Sequence, residues 1–285
     1  MLRFSIIFLL LVIVTISNSC SNTQKPVISN SSSNAQRPVT APTPEARALN
    51  QISIQRYGCG PASLINAYRF GSAKWNTATH KIDGDTDKEQ FDFIVKYYGK
   101  IFSKYANHSM RWDARSGING LDLADLANDF QTRRKLTLPE LKHTAHFIKS
   151  KEGHKALLTA THQHLTKSLH SGFPPIISIK RFAQQGSLWR QVHGHFVVLY
   201  EIPSSLPPEA TSFEMKYIDS SGGKIKTGTI KIPEKVFFAI NNAKKKTLFR
   251  KYPTLIVDFP QSPLGRHLVK KNERSATILA ASITP

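Results

Sequence analysis

The feature that most narrows the fold is a change of rhythm at Pro174-Pro175. Before it, apolar residues recur at three- and four-residue intervals, as on one face of a helix; after it come short runs of Val, Ile, Phe, Tyr and Thr bounded by Gly, Pro and Ser. Helices first and then a mostly antiparallel sheet is the order of an α+β domain. Helices are predicted from Cys59 to a stop at Gly71, and over about 87 to 105 behind a capping box of Thr86 and Glu89. Others are predicted at about 120 to 130, 139 to 150, 161 to 170 and 234 to 245. Strands are predicted at Ile176 to Lys180, Gly194 to Ile202, Glu214 to Asp219, Lys224 to Ile232 and Thr254 to Phe259. Ser220-Ser221-Gly222-Gly223 forms the turn between two of them.

Of the 285 residues 40% are hydrophobic and 20% charged, which excludes a disordered chain and a polytopic membrane protein. The 39 Lys+Arg against 19 Asp+Glu leave a formal net charge of +20, which suits an anionic partner. The candidates are nucleic acid, an anionic membrane surface and an acidic cell-envelope polymer. The two cysteines, Cys20 and Cys59, are too few for a disulfide-rich scaffold or a four-cysteine zinc site. Met1 to Ile16 reads as a signal segment, with Arg3 before a short apolar run too short to span a bilayer comfortably. Ser17-Asn18-Ser19-Cys20 resembles a bacterial lipobox, which implies lipidation of Cys20 after removal of residues 1 to 19. Residues 20 to 50, dominated by Ser, Asn, Gln, Thr, Pro and Ala, are expected to be a disordered tether. The folded domain is expected over 51 to 260, with 261 to 285 a tail in which Ala276 to Ile283 is apolar enough to dock. Export to the cell envelope makes nucleic acid an unsuitable partner, and the Lys-rich runs lack the aromatic interleaving of a nucleic-acid groove.

The chemistry concentrates in Gln55-Arg56-Tyr57-Gly58-Cys59-Gly60-Pro61-Ala62-Ser63-Leu64. A thiol at a helix start feels the positive end of the dipole and the unpaired N–H groups there, both of which favour thiolate, the nucleophilic form. Gln55 is placed to aim its carboxamide at a substrate carbonyl oxygen, beside the Cys59 backbone N–H, as an oxyanion hole. A cysteine nucleophile needs a base. His193 and His195 share one face of a predicted strand, so spacing allows either. Asp219 closes the next strand, and if the two strands pair it can orient the histidine ring.

Gln55, GCGPASL around Cys59, GHFVVL around His195 and YID ending at Asp219 together resemble the papain-like superfamily. Within it they are similar to the bacteriocin-processing peptidases, which cut after double-glycine leaders, and to their stand-alone exported relatives. The resemblance spans roughly residues 51 to 222. It implies a papain-like cysteine peptidase fold, in which N-terminal helices carry the nucleophile and a mostly antiparallel sheet carries His and Asp. It also implies roles: Cys59 as nucleophile, His195 as general base and acid with His193 its neighbour, Asp219 as orienting carboxylate and Gln55 as oxyanion donor. The family places Pro after the aspartate, where this chain has Ser220, and the segment of about 72 to 172 between the two boxes exceeds the family minimum. The leader-peptide substrate is not carried over, on the expectation that no transporter segment follows the domain. Phytochelatin synthase shares the Gln…Cys-Gly start but has a different His context.

The expected function is therefore an exported, lipid-anchored thiol hydrolase that cleaves a peptide or amide bond in a peptide or protein substrate. Two alternatives stand beside it: an inactive papain-like binding module for an anionic envelope polymer, and a papain-like acyltransferase or transpeptidase. No cofactor is implied. His143 with His146 and His162 with His164 are the closest histidine pairs, and neither has a third ligand at zinc spacing. Trp75, Trp112 and Trp189 are candidates for lining a substrate pocket.

Overall fold

The computed structural model describes residues 37–106, 108–148, 153–185, 188–234, 238–239, 252–262 and 264–285. The signal segment, Cys20, the first part of the tether and Lys244-Lys245-Lys246 lie outside the described residues. The helices are α1 (Cys59–Arg69), α2 (Ala73–Asn76), α3 (Asp87–Ile94), α4 (Gly120–Arg133) and α5 (His154–His170). The strands are β1 (Val39–Thr40), β2 (Trp112–Asp113), β3 (Gly117–Ile118), β4 (Lys142–Ala145), β5 (Ile176–Gln185), β6 (Leu188–Ile202), β7 (Ser212–Asp219), β8 (Lys224–Lys231), β9 (Phe238–Ala239), β10 (Tyr252–Pro253), β11 (Ile256–Asp258) and β12 (Ser275–Thr284). Among the described residues no helix is long and apolar enough to cross a membrane.

The chain is thus α+β, with most of its helices before most of its strands. Helix α1 is its hub. Every residue from Gly60 to Tyr68 is buried, as a helix made of small and apolar residues on all sides must be. Its polar side chains act as fasteners. Asn66 Oδ1 accepts from the Leu49 N–H at 2.7 Å while its Nδ2 donates to the Leu49 carbonyl at 3.3 Å. The Ser63 hydroxyl donates to the Phe196 carbonyl on β6 at 3.1 Å, and Tyr68 OH accepts from Gln131 on α4 at 3.1 Å. Around the outer end of α1, Trp75 and Phe173 approach with ring centroids 4.5 Å apart, and Phe130 meets Tyr98 edge-on at 5.4 Å.

The strands pair antiparallel throughout, and six of them close a ring. β6 pairs with β5, β5 with β12, β12 with β11, β11 with β8, β8 with β7, and β7 with β6 again. Closure leaves no open edge among these six. β1 extends the sheet beside the end of β6, and β4 extends it beside β12.

Every predicted strand run contains a strand here, and the Thr86/Glu89 capping box is formed at the start of α3. Four expectations are corrected. The segment from 261 is no tail, because β12 runs between β5 and β11, with Leu279 and Ile283 fully buried. Folded structure begins before residue 51: Val39 and Thr40 pair with β6, and Leu49 is fully buried. The helix expected over 139 to 150 is absent from its described part, where Lys142–Ala145 pairs instead with Ile283 and its neighbours on β12. The helix expected over 87 to 105 ends in a π turn at Val95–Gly99. The helix expected over 234 to 245 falls mainly outside the described residues, but Phe238–Ala239 within it pairs with Tyr252–Pro253.

Because β12 is an interior strand, deleting residues 275 to 285 opens the ring and exposes the barrel core. We expect the truncated protein to lose its cooperative thermal unfolding transition and to be recovered mainly as aggregate. A truncated protein that melts like the full chain would contradict this topology.

Candidate active site

Cys59 is the first residue of α1 and lies half-buried. Gly58 at the N-cap offers no side-chain bond to the first turn, so the N–H groups there remain available to a ligand or to the sulfur. Glycine at the next position is required by space: a Cβ on Gly60 would lie 2.2 Å from Ile118 Cγ2, so only glycine admits β3 against the helix start.

The thiol is held between two parts of the fold. Burial pushes its pKa up, but the hydrogen bond and charge of His195, together with the Phe196 and Gly60 backbone N–H groups, bring it below the ordinary thiol value. His195 is 5% exposed. It stands on β6 opposite Ile179, close to a bulge where the β5–β6 register slips between Arg181 and Phe182. Bulges of this kind re-aim side chains beside sites.

β7 lies on the other side of β6, with Asp219 opposite Val197, and so diagonal to His195. Asp219 Oδ1 accepts from His195 Nε2 at 2.8 Å. A carboxylate only accepts, so Nε2 carries the proton, and Nδ1 is the ring nitrogen left to the sulfur. Burial lowers the proton affinity of His195, but the Asp219 and Cys59 interactions outweigh it and raise the pKa from 6.5 to about 10. Burial raises the Asp219 pKa, and the bonds from His195, Lys226 and Ser262 carry it far below the usual carboxylate range. The three groups therefore favour one another's charged forms, thiolate, imidazolium and carboxylate.

Asp219 has no exposed surface, and donors surround it. Oδ1 also accepts from the Ser221 N–H at 2.8 Å, while Oδ2 accepts from Lys226 Nζ at 2.7 Å and from the Ser262 hydroxyl at 2.6 Å. The turn that follows depends on its glycines, since Gly222 and Gly223 have φ of 114° and 61°. Ser220, where the resembled family has Pro, is buried and donates to Gln51 Oε1 at 2.8 Å. Gln51 Nε2 in turn donates to the Arg56 carbonyl at 3.2 Å, which ties the aspartate turn to the cysteine loop.

The structure thus brings Cys59, His195 and Asp219 together. Gln55 is directed elsewhere: its carboxamide donates to the Ala114 carbonyl at 3.4 Å. The glutamines on the wall of the cavity that Cys59 also lines are Gln51 and Gln191, and of the two Gln51 is the one tied to the cysteine loop. His193 lies beside the pair, its ring 6.2 Å from that of His195. Burial and then the charges of His195, His267 and Arg181 depress its pKa to about 4, so it is neutral at pH 7. The cavity measures about 1360 Å³, runs between the helical side and the barrel, and has Cys59, Tyr57, Asn119, Lys180, His193 and Leu268 on its wall.

None of the three tryptophans lines that cavity. Trp75 is buried, Trp112 is buried with Nε1 donating to the Tyr57 carbonyl at 3.1 Å, and Trp189 packs against Phe182 and Ile278. The histidines of the two pairs are engaged elsewhere, although His146 and His164 meet edge-on with ring centroids 5.8 Å apart. His146 bonds Ser282 at 2.9 Å and Thr161 at 3.3 Å, His162 donates to the Pro203 carbonyl at 2.8 Å, and His164 bonds Thr284 at 3.1 Å. Among the described residues no group of three or more His, Cys, Asp or Glu is placed to hold a metal ion. Sequence reasoning missed Lys226 and Ser262. The alternation of β8 carried a usable signal for the first, since Lys226 sits opposite Tyr217 on the buried side of β7. Nothing local marks Ser262.

Comparison with protein-family models and with curated proteins finds no match to the chain.

Since His195 holds the thiol below its ordinary pKa, thiolate is present above that lowered value and is lost as pH falls through it. Alkylation of Cys59 by iodoacetamide at pH 6, followed on the Cys59 peptide by mass spectrometry, should outpace that of an unactivated thiol. His195→Ala should slow it on the order of tenfold or more. Equal rates in the two proteins would show that the histidine does not activate the sulfur.

Proposed function

We propose that the protein is a thiol hydrolase of papain-like fold that cleaves a peptide or amide bond through Cys59, His195 and Asp219. The observation that carries this reading is the chain of contacts from a cysteine at a helix N-terminus, through a buried histidine, to a buried carboxylate on the neighbouring strand. An isolated core cysteine has no need of it.

In the proposed reaction the Cys59 sulfur attacks the substrate carbonyl carbon. The C–S bond forms as the carbonyl π electrons move onto oxygen. The oxyanion faces the N–H groups at the start of α1, with the Cys59 N–H as the first donor. The Gln51 carboxamide stands on the cavity wall as a second, through the N–H that its Nε2 does not give to the Arg56 carbonyl, while Gln55 Nε2 donates to the Ala114 carbonyl. The C–N bond then breaks as His195 delivers its proton to the leaving nitrogen, giving a free amine and a thioester. In the second half His195, now neutral, takes a proton from water while the water oxygen attacks the thioester carbon. The C–S bond breaks, the acid departs, and thiolate and imidazolium are restored. Asp219 accepts from the same ring nitrogen throughout, which keeps the other nitrogen turned to the sulfur.

Exported placement, a signal peptide at residues 1 to 19, lipid attachment at Cys20 and an affinity of the basic chain for an anionic envelope polymer are parts of the same proposal. They rest on residues outside the described structure and on composition. Acyl transfer differs only in which nucleophile meets the thioester.

Cys59→Ala should reduce hydrolysis of an amide or peptide substrate cut by the wild type to background, a loss of roughly a thousandfold or more. Full hydrolysis by that variant would sink the proposal. Adding a primary amine to the wild-type reaction separates the two fates of the thioester: free acid reports hydrolysis, and a new amide reports transfer.

A further inference from the structure

The aspartate that orients His195 carries a second cation. Lys226 stands on β8 opposite Tyr217, faces the same side of the sheet as Asp219, and is mostly buried, with its side chain 14% exposed. A lysine on an inward position is costly unless its charge is met. The charge is met at Asp219 Oδ2, 2.7 Å away.

Hydrogen-bond satisfaction alone does not call for this lysine. Without it Asp219 still accepts from His195 and the Ser221 N–H on one oxygen and from Ser262 on the other. Ser262 is itself supported by Tyr217 OH at 2.9 Å. What Lys226 adds is a positive charge. With it the buried set of Cys59 thiolate, His195 imidazolium, Asp219 carboxylate and Lys226 ammonium sums to zero; without it the set carries one uncompensated negative charge in a site of low polarity.

We propose that Lys226 is a positioning residue of the active site, which balances the charge of Asp219 so that the Cys59 thiolate persists beside a protonated His195. The inference rests on the reading of Cys59, His195 and Asp219 as the reacting groups. Its sign is fixed by electrostatics: removing a positive charge raises the proton affinity of every ionisable neighbour. The other groups that bear on the pair are His193 on β6, Arg181 on β5, Tyr217 on β7, and Arg266 with His267 in the segment before β12. His193 and Tyr217 are neutral at pH 7, their pKa values standing at about 4 and about 12. The arginines are common to every variant below.

The test is the pH dependence of iodoacetamide alkylation at the Cys59 peptide in the full chain. Lys226→Met should move the midpoint of thiolate formation upward by roughly half to one pH unit. Lys226→Arg, which keeps the charge, should leave the midpoint at the wild-type value. A lysine with a packing role alone would change the fold or the maximal rate without moving the midpoint. Should Lys226→Met fail to fold, the comparison of Asp219→Asn with Asp219→Asn/Lys226→Met decides, since both leave a neutral, hydrogen-bonded group at 219. The double variant should titrate higher than the single one. A midpoint that is unmoved or lowered on loss of the lysine overturns the inference alone. A wild-type Cys59 that labels no faster at pH 6 than an unactivated thiol overturns the hydrolase reading, and the inference with it.

Discussion

A carboxylate with no exposed surface has to be surrounded by donors, and the site is organised by how Asp219 meets that requirement. Its donors come from β6, β8, the turn after β7 and the segment at Ser262, four stretches that meet only when the barrel has closed. The carboxylate therefore reports on the fold as much as on the chemistry. One oxygen orients the histidine, and the other joins β7 to β8 and to the segment that leads into β12. Losing a charged donor leaves negative charge buried without compensation, and losing a neutral one removes a bond that replaces water around it.

The second constraint is the contact of α1 with β6. Gly60 lets β3 approach the first turn of the helix, and Ser63 fastens the next turn to the Phe196 carbonyl. These contacts fix the distance between a thiol on the helix and an imidazole on the strand, two elements separated by more than a hundred residues of chain. Placing reactive groups on rigid elements rather than on loops is what makes such a distance reproducible. The charges follow from the geometry. Because the thiol and imidazole lie together in a buried place, each favours the ionised form of the other even though burial opposes each charge separately.

Local signals in the sequence were reliable where a structure is closed by near neighbours. The capping box of Thr86 and Glu89, the start of α1 and the glycine turn after Asp219 each depend on a few consecutive residues, and each is formed. They failed where the partner is distant. Lys142–Ala145 has helical spacing around it but meets the last strand of the chain, and backbone pairing with β12 outweighs a weak local preference. The segment from Ser275 reads as an apolar afterthought because nothing near it shows that the barrel has a gap of its width. Val39 and Thr40, set in a polar and proline-rich stretch, are ordered by the free end of β6.

The sequence by itself determined the class of fold and singled out Cys59, His193, His195 and Asp219 as candidates for the site, because each announces itself through composition and immediate neighbours. Strand spacing left His193 and His195 equivalent and only the resemblance favoured His195; in the tertiary structure it is His195 that bears on Cys59. Tertiary structure alone turned Gln55 toward Ala114 and brought Gln51 to the cavity wall. It also decided that the carboxylate is shared with Lys226 and Ser262, which no spacing rule connects to it. The physical reason is common to all three. A side chain's role here depends on the direction in which a strand or turn aims it and on which charges lie within a few ångströms. Both are properties of elements brought together across the chain, not of residues read in order.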